Sequence, residues 1–307
     1  MLDLQHRFGP LIPDVEFVIS TIDRPLLLAT DPKGVYEPVF RFCKTDSHSD
    51  ILIPIFHFYM KHYSSQLLDK ASWINKQHPW ASREPVLFGR FSPYLRHMHP
   101  NDSFTARVGA GGRSICTVDS PRTTACTVRR HFMDWAKAAA PDRINVNGGH
   151  IPMLKHAQYK YLVHLDGQGL SSRMDLLLPL NAVVFKEESG YRAYYHHLLQ
   201  PYKHYLPFWK TRPEEALTQL DWAAAHDEEA RQVAQRAQDF ALRYLSRSAR
   251  ACYWLRLLTD FSQLLRYSPG SRTSRYMSYY IPVQEYLDTV ATRYDGGKWL
   301  HHTSFEP

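Results

Sequence analysis

The sequence predicts a mixed α/β protein built as two lobes, on three observations. The chain has 307 residues, more than one compact core ordinarily organises. Its hydrophobic and aromatic shares, 44% and 13%, are sufficient to bury a core and exclude wholesale disorder. Short β-branched runs alternate with stretches of helical spacing, most regularly from residue 159 onward. There a strand, a turn, a helix and a strand follow one another with short links, the pattern of a βαβ unit in a parallel sheet.

Taken in order, residues 15–20 (VEFVIS) form a β-branched and aromatic run that predicts a buried strand, closing in a polar turn over 20–25. After a loop containing Asp31, Pro32 and Gly34, residues 38–43 and 50–54 predict two more strands. Residues 64–80 have helical spacing, with Leu67, Leu68, Ala71 and Ile74 on one side. Residues 85–90 predict the strand that opens a second unit. It runs into a Gly- and Ser-containing loop, a layout in which backbone N–H groups can meet phosphate. The Gly, Ser and Thr content of 101–127 predicts loop, and 128–140 a helix stopped by Pro141. Then come a strand over 159–165, a turn over 167–169, a helix over 171–178 and a strand over 182–185. Residues 214–226 predict a helix, and Asp227 is placed to N-cap another through residue 245, with Glu228 and Glu229 in its first turn. A last helix over 250–265 carries Trp254, Leu257, Leu258, Phe261 and Leu264 at helical spacing. The sequence contains no internal repeat.

The formal net charge is +7, from 37 Lys and Arg against 30 Asp and Glu. Such a balance suits an anionic ligand, nucleic acid or an acidic membrane surface. The cations stand as singles and pairs, Arg129–Arg130 among them, which disfavours nucleic acid as a partner. Cys43, Cys116, Cys126 and Cys252 lack CxxC spacing, arguing against a zinc site. Their even number permits disulfides without requiring them. No basic and apolar leader opens the chain, and no apolar run reaches the roughly 18 residues that span a bilayer. The adjacent pairs His196–His197 and His301–His302 would point apart on a helix and lack a third ligand, so they read as packing or surface residues and no metal is expected.

The segments KHAQYKYLVHLDG (155–167), SSRMDLLLPLNAVVFKEES (171–189), YYHHLLQPYKHYLPF (194–208), LDWAAAHDEEARQVA (220–234) and ACYWLRLLTDF (251–261) come in an order that is long and specific. The succession resembles glycosyltransferase family 90, the Rumi-like protein O-glucosyltransferases and capsule-associated xylosyltransferases. VISTIDRP (18–25) and the FxFxK…DILIP stretch resemble the family's first-lobe core more weakly. The match runs from about residue 15 to 265, with little in 101–147 or after Tyr267.

The resemblance implies a GT-B-like fold of two Rossmann-like lobes, with a C-terminal helix packing back toward the first. Its expected parts are an acceptor-side lobe at 1–83, lacking part of the family's N-terminal region, a nucleotide-sugar lobe at 84–248, and a returning helix and tail at 249–307. It further implies inverting, metal-independent transfer of glucose or xylose from UDP-glucose or UDP-xylose to a hydroxyl of a protein Ser/Thr or a glycan. No cofactor besides the donor is expected, and the compartment implied is the endoplasmic reticulum or Golgi lumen. The alternative is a catalytically inactive or truncated GT-B-fold binding protein.

Inverting transfer requires a base for the acceptor hydroxyl and cations or amides for the departing diphosphate. The resemblance puts the base at Asp23, where the family has an RDYP-like turn. The basic residue that precedes the Asp in that turn is Ile22 here. An isolated Asp beside Pro25 otherwise caps its own loop. Residues 88–92 stand where the family has an FRGS-like loop, with Gly and Arg in swapped order. Arg90 would neutralise diphosphate and Gly89 would admit backbone close to it, with Ser92 adjoining. Ser171 and Arg173 align with the family's SxR element, following the Asp166-Gly167 turn, and a helix start there would add its dipole to the Arg173 charge. Gly167 belongs to the same expected nucleotide-sugar contact. Lys186 and Ser189 are expected past a strand end, within reach of ribose or phosphate. The ordinary readings are a surface turn at 88–92, a solvated Arg173 and a charged loop at 186–189. His204 and Tyr205 match an HYxP element and read as structural.

Overall fold

The computed structural model describes residues 2–29, 38–59, 65–99, 102, 108–121, 123–269, 281, 282 and 285. Helix α1 (Leu2–Phe8) opens the chain. Strands β1 (Val18–Ile19), β2 (Val39–Arg41) and β3 (Ile51–Leu52) pair in parallel in the order β1-β2-β3. Two short helices follow, α2 (Ser65–Asp69) and α3 (Ala71–Gln77). Next come β4 (Glu84–Arg90), β5 (Arg96–Met98), β6 (Cys116–Ser120), β7 (Thr123–Cys126), α4 (Val128–Ala139), β8 (Ile144–Asn147) and β9 (Tyr159–His164). The remainder is α5 (Arg173–Leu177), β10 (Val183–Glu187), β11 (Leu206–Phe208), α6 (Glu215–Ala225), α7 (Asp227–Tyr244) and α8 (Arg247–Ser262).

The largest sheet is parallel, in the order β11-β10-β9-β4-β8. Every residue of β10 is buried, as a parallel strand covered on both faces requires. Helix α7 lies against β10. Its buried face is largely alanine, at 230, 234, 237 and 241, with Val233 and Phe240, so the helix can approach the sheet closely. Helix α4 lies against β8 and buries Phe132 and Ala136, and burying such a phenylalanine contributes about 1.5–3 kcal/mol.

The chain divides into two compact units. One comprises residues 1–17, 56–63 and 247–307. Within it α1 packs on α8, Leu4, Trp254, Leu258 and Phe261 are buried, and the Arg250 guanidinium lies 4.4 Å from the Phe58 ring centroid. The other comprises 18–55 and 64–246 and holds the three sheets found among the described residues.

Several elements differ from the sequence expectation. The run 15–20 yields only the two residues of β1, an edge strand with Val18 61% and Ile19 45% exposed rather than buried. The helix expected at 64–80 breaks at Lys70, although Leu67, Leu68, Ala71 and Ile74 are buried as its spacing requires. The stretch 108–127 is not simply loop. Strands β6 and β7 form an antiparallel hairpin beside β5, and the directly paired Cys116 and Cys126 are disulfide-bonded. Its threonines and valine act there as β-branched strand formers, not as turn residues. Cys43 is a buried thiol and Cys252 an exposed one.

Asp227 does not cap α7. Its carboxylate instead accepts from Trp80 Nε1 at 2.9 Å and from Lys160 Nζ at 2.6 Å. The expected helix over 171–178 is five residues long and passes into a 3-10 turn over Leu178–Leu180. Asp31, Pro32, Gly34, residues 101 and 103–107, and His301–His302 lie outside the described residues.

Candidate functional site

The site grows from the end of β9, where the chain leaves the large sheet through Leu165, Asp166 and Gly167. All three are buried. Arg96 of β5 and Glu187 of β10 form a fully buried pair beneath this turn, joined through both terminal guanidinium nitrogens, with Nη2 to Oε2 at 2.7 Å. Burial alone would push the Arg96 pKa down. The Glu187 carboxylate outweighs it and drives the pKa up, so the ion pair persists. Arg96 Nη2 also donates to the Asp166 carbonyl at 2.8 Å, and Asp166 N–H donates to Glu187 Oε2 at 3.1 Å.

Above this pair the turn is held by its own carboxylate. Asp166 accepts from Ser171 N–H at 2.7 Å and from the Ser189 hydroxyl. His164 Nε2 lies 3.2 Å from the Ser171 carbonyl. Arg129, in the first turn of α4, donates to Leu165 O at 2.8 Å, Asp166 O at 3.0 Å and Ser92 O at 3.1 Å. Its guanidinium carbon stands 5.4 Å from the Phe91 ring centroid. A buried cation with three carbonyl acceptors is well solvated by the protein itself. Burial, reinforced by repulsion from Arg173 and Arg96, lowers its pKa to about 10, so it is charged at neutral pH.

The Asp23 turn meets this hub directly. A β-carbon placed on Gly169 would stand 2.5 Å from the Asp23 carbonyl oxygen, so the two backbones touch at a spot only glycine permits. On the other side, fully buried Arg41 of β2 donates to the Ser20 hydroxyl and to the Ile22 carbonyl. Its Nε lies 3.8 Å from Asp50 Oδ1. Asp50 accepts from Leu26 N–H at 3.1 Å and Leu27 N–H at 3.2 Å. The segment past β2 is joined to the hub by reciprocal backbone bonds between Lys44 and Arg192, at 3.2 and 2.9 Å.

The Asp23 side chain reaches solvent, yet its pKa is raised to about 6. Desolvation by the surrounding protein is the largest cause and the Asp166 charge the next, with Arg129 and Arg41 opposing. The arrangement thus joins a carboxylate poised near neutrality to a cationic floor containing Arg129 and Arg173, at the carboxyl ends of parallel strands.

The residues singled out in the sequence divide into two groups. Asp23, Gly167, Ser171 and Ser189 come together around Asp166, and Arg173 and Arg129 are close enough to repel one another. A β-carbon on Gly167 would meet Arg129 Nη2 at 3.4 Å. Ser171 Oγ accepts from Arg173 N–H at 3.4 Å, a contact within the turn that precedes α5. A helix of five residues has too few aligned peptides for the dipole expected at Arg173.

The 88–92 group lies differently. A β-carbon on Gly89 would collide with Val163 Cγ1 at 2.4 Å, so this glycine has a packing reason within the sheet. Arg90 donates to Gly89 O, Asn145 O and Asn145 Oδ1 at 2.8–2.9 Å and stacks on Phe88 at 4.3 Å. Ser92 lends its carbonyl to Arg129. Lys186 is a buried residue of β10 and not of a loop past it, and its Nζ donates to Glu187 O at 3.1 Å. Among the described residues no group of three His, Cys, Asp or Glu side chains converges to hold a metal ion, and no helix is long and apolar enough to cross a membrane.

Sequence reasoning missed Arg96, Arg129, Asp166 and Glu187 as a unit, and also Arg41 and Asp50. Their sequence separations run from 9 to 91, and no local pattern links them. A weak signal existed in charges set inside strand-like runs, where an unpaired charge would be costly.

The glycosyl transferase family 90 model matches residues 1–278. Protein O-glucosyltransferase 1 of Mus musculus is 26% identical over 294 residues, covering 90% of this chain and 68% of the mouse protein. O-glucosyltransferase rumi of Drosophila pseudoobscura pseudoobscura is 26% identical over 281 residues, covering 86% and 65%. Protein O-glucosyltransferase 2 of Danio rerio is 34% identical over 127 residues, covering 39% and 25%. The chain thus spans about two thirds of the length of the first two relatives. Among solved structures, Anabaena HepE in complex with UDP and glucose aligns with a TM-score of 0.41 at 11% identity, covering 73% of this chain and 63% of that one.

Proposed function

Because the chain belongs to glycosyl transferase family 90, we propose that it transfers glucose or xylose from a UDP-sugar to a hydroxyl of a protein Ser/Thr or a glycan, with inversion and without a metal ion. The observation that carries the reading is the seating of the Asp23 turn on the Asp166–Gly169 turn, with Arg129 and Arg173 beside it. Asp23 takes the acceptor's proton as the acceptor oxygen bonds to the anomeric carbon. The bond from that carbon to the diphosphate oxygen breaks, and UDP leaves with the electron pair. Arg173 and Arg129 offset the charge that accumulates on the diphosphate, with Ser171, Gly167 and Ser189 shaping the turn around it. The curated relatives that are named O-glucosyltransferases favour glucose over xylose and a protein acceptor. The same kinship favours work in the secretory pathway, where the Cys116–Cys126 disulfide would persist.

The test is calorimetric titration of UDP into the purified chain with EDTA present, followed by turnover of UDP-glucose and UDP-xylose by the parent and Asp23→Asn. UDP binding with Asp23-dependent turnover supports the reading. UDP binding without turnover on any Ser/Thr or glycan acceptor favours the binding-protein alternative, and absence of UDP binding by the folded chain removes the transferase reading and leaves a truncated or repurposed fold.

A further inference from the structure

We propose that Arg41 is a positioning residue for Asp23, holding the turn that carries it in register with the Gly167–Gly169 turn; it rests on the role proposed above for Asp23. Arg41 is fully buried in β2, and a buried guanidinium is costly unless its hydrogen-bonding groups are used. Two of its nitrogens go to groups of the segment leading into Asp23, the Ser20 hydroxyl and the Ile22 carbonyl. Its ion-pair partner Asp50, also fully buried, takes the N–H groups of Leu26 and Leu27, in the segment leading out past Arg24 and Pro25. One buried pair therefore grips the turn on both sides of Asp23. A rigid planar fork fixes the spacing of two acceptors in a way that a lysine ammonium does not.

The grip has an electrical side. The charged groups facing Asp23 are Asp166, Arg129 and Arg41. The titratable groups facing Arg41 are the Cys43 thiol, which burial keeps neutral, and the charged Asp50, Asp23 and Arg24. Removing the Arg41 charge leaves Asp166 less opposed, so Asp23 holds its proton to higher pH. A residue that only stabilised the small sheet would not move the titration of Asp23 in this direction.

The experiment compares parent, Arg41→Gln, Arg41→Lys, Ser20→Ala and Asp23→Asn for kcat against pH and for UDP affinity. We expect Arg41→Gln to lower kcat about tenfold or more, move the acid limb of the profile upward, and leave UDP affinity within about twofold. Arg41→Lys is expected to return the acid limb toward the parent while kcat stays reduced. A folded, UDP-binding Arg41→Gln whose acid limb matches the parent overturns the inference. Should Arg41→Gln fail to fold, Ser20→Ala decides. It removes one anchor and leaves the ion pair intact, and an unchanged kcat there overturns the inference as well. Activity in Asp23→Asn instead overturns the base assignment, and the inference with it.

Discussion

Gly169 and Asp23 touch through their backbones: a single β-carbon on the glycine would stand 2.5 Å from the Asp23 carbonyl oxygen. The contact sets how far the proposed base lies from the Asp166 turn. Gly169→Ala is therefore expected to push the Asp23 turn outward, lowering kcat by about 100-fold while UDP affinity changes by less than about twofold. Equal loss in both quantities would mean that the glycine serves donor binding instead.

The Asp23 carboxyl, raised to about 6 by desolvation and by Asp166, must be deprotonated to act as a base. Turnover should fall as pH drops through about 6, with Asp23→Asn losing roughly 10²–10⁴-fold in kcat at neutral pH. The kcat profile of the parent between pH 4.5 and 8 checks this, and an acid limb near the usual carboxylate range would contradict it.

Arg173 and Arg90 should behave differently. Arg173→Ala is expected to weaken UDP binding about tenfold, roughly 1.4 kcal/mol. Arg90, occupied by the Asn145 carbonyl and amide oxygens, should change it by less than about twofold on replacement by alanine. Calorimetry on the two variants decides, and a comparable loss in both would show that Arg90 turns toward the donor when it binds.

Burial pushes His164 and His196 down to about 3 and His156 to about 4. In the unfolded chain each titrates near 6.5, so below that value the unfolded state binds more protons and stability falls with pH. The fully buried His164 alone is expected to cost about 2 kcal/mol at pH 5. Urea midpoints at pH 7.5 and 5 should differ accordingly, and identical midpoints would refute the neutral burial of these rings.

Cys116 and Cys126 close a hairpin loop of separation 10. Replacing both by serine is expected to lower stability by about 2–3 kcal/mol, measured by urea denaturation. Reductant should lower the parent by the same amount and leave the variant unchanged.

The large parallel sheet was legible because its strands carry dense local signals. Residues 159–165 and 182–185 have nearly continuous apolar runs, and β9 and β10 fall on them. The 15–20 run carries similar residues but becomes an exposed edge, because burial depends on what packs over a strand and not on its own composition. The 116–126 hairpin was hidden by residues that serve turns and edge strands equally well.

Sequence by itself determined the family, the parallel α/β core and the candidate segments, since each depends on patterns a few residues apart. Only the tertiary structure decided which charged groups work together. It turned Arg90 away onto Asn145, placed Lys186 inside a strand, and gathered Arg96, Arg129, Asp166 and Glu187 into one buried network. It also set Arg41 beneath the Asp23 turn. The reason is physical: a buried charge is tolerable only with partners, and those partners come from strands distant in sequence that the fold alone brings together.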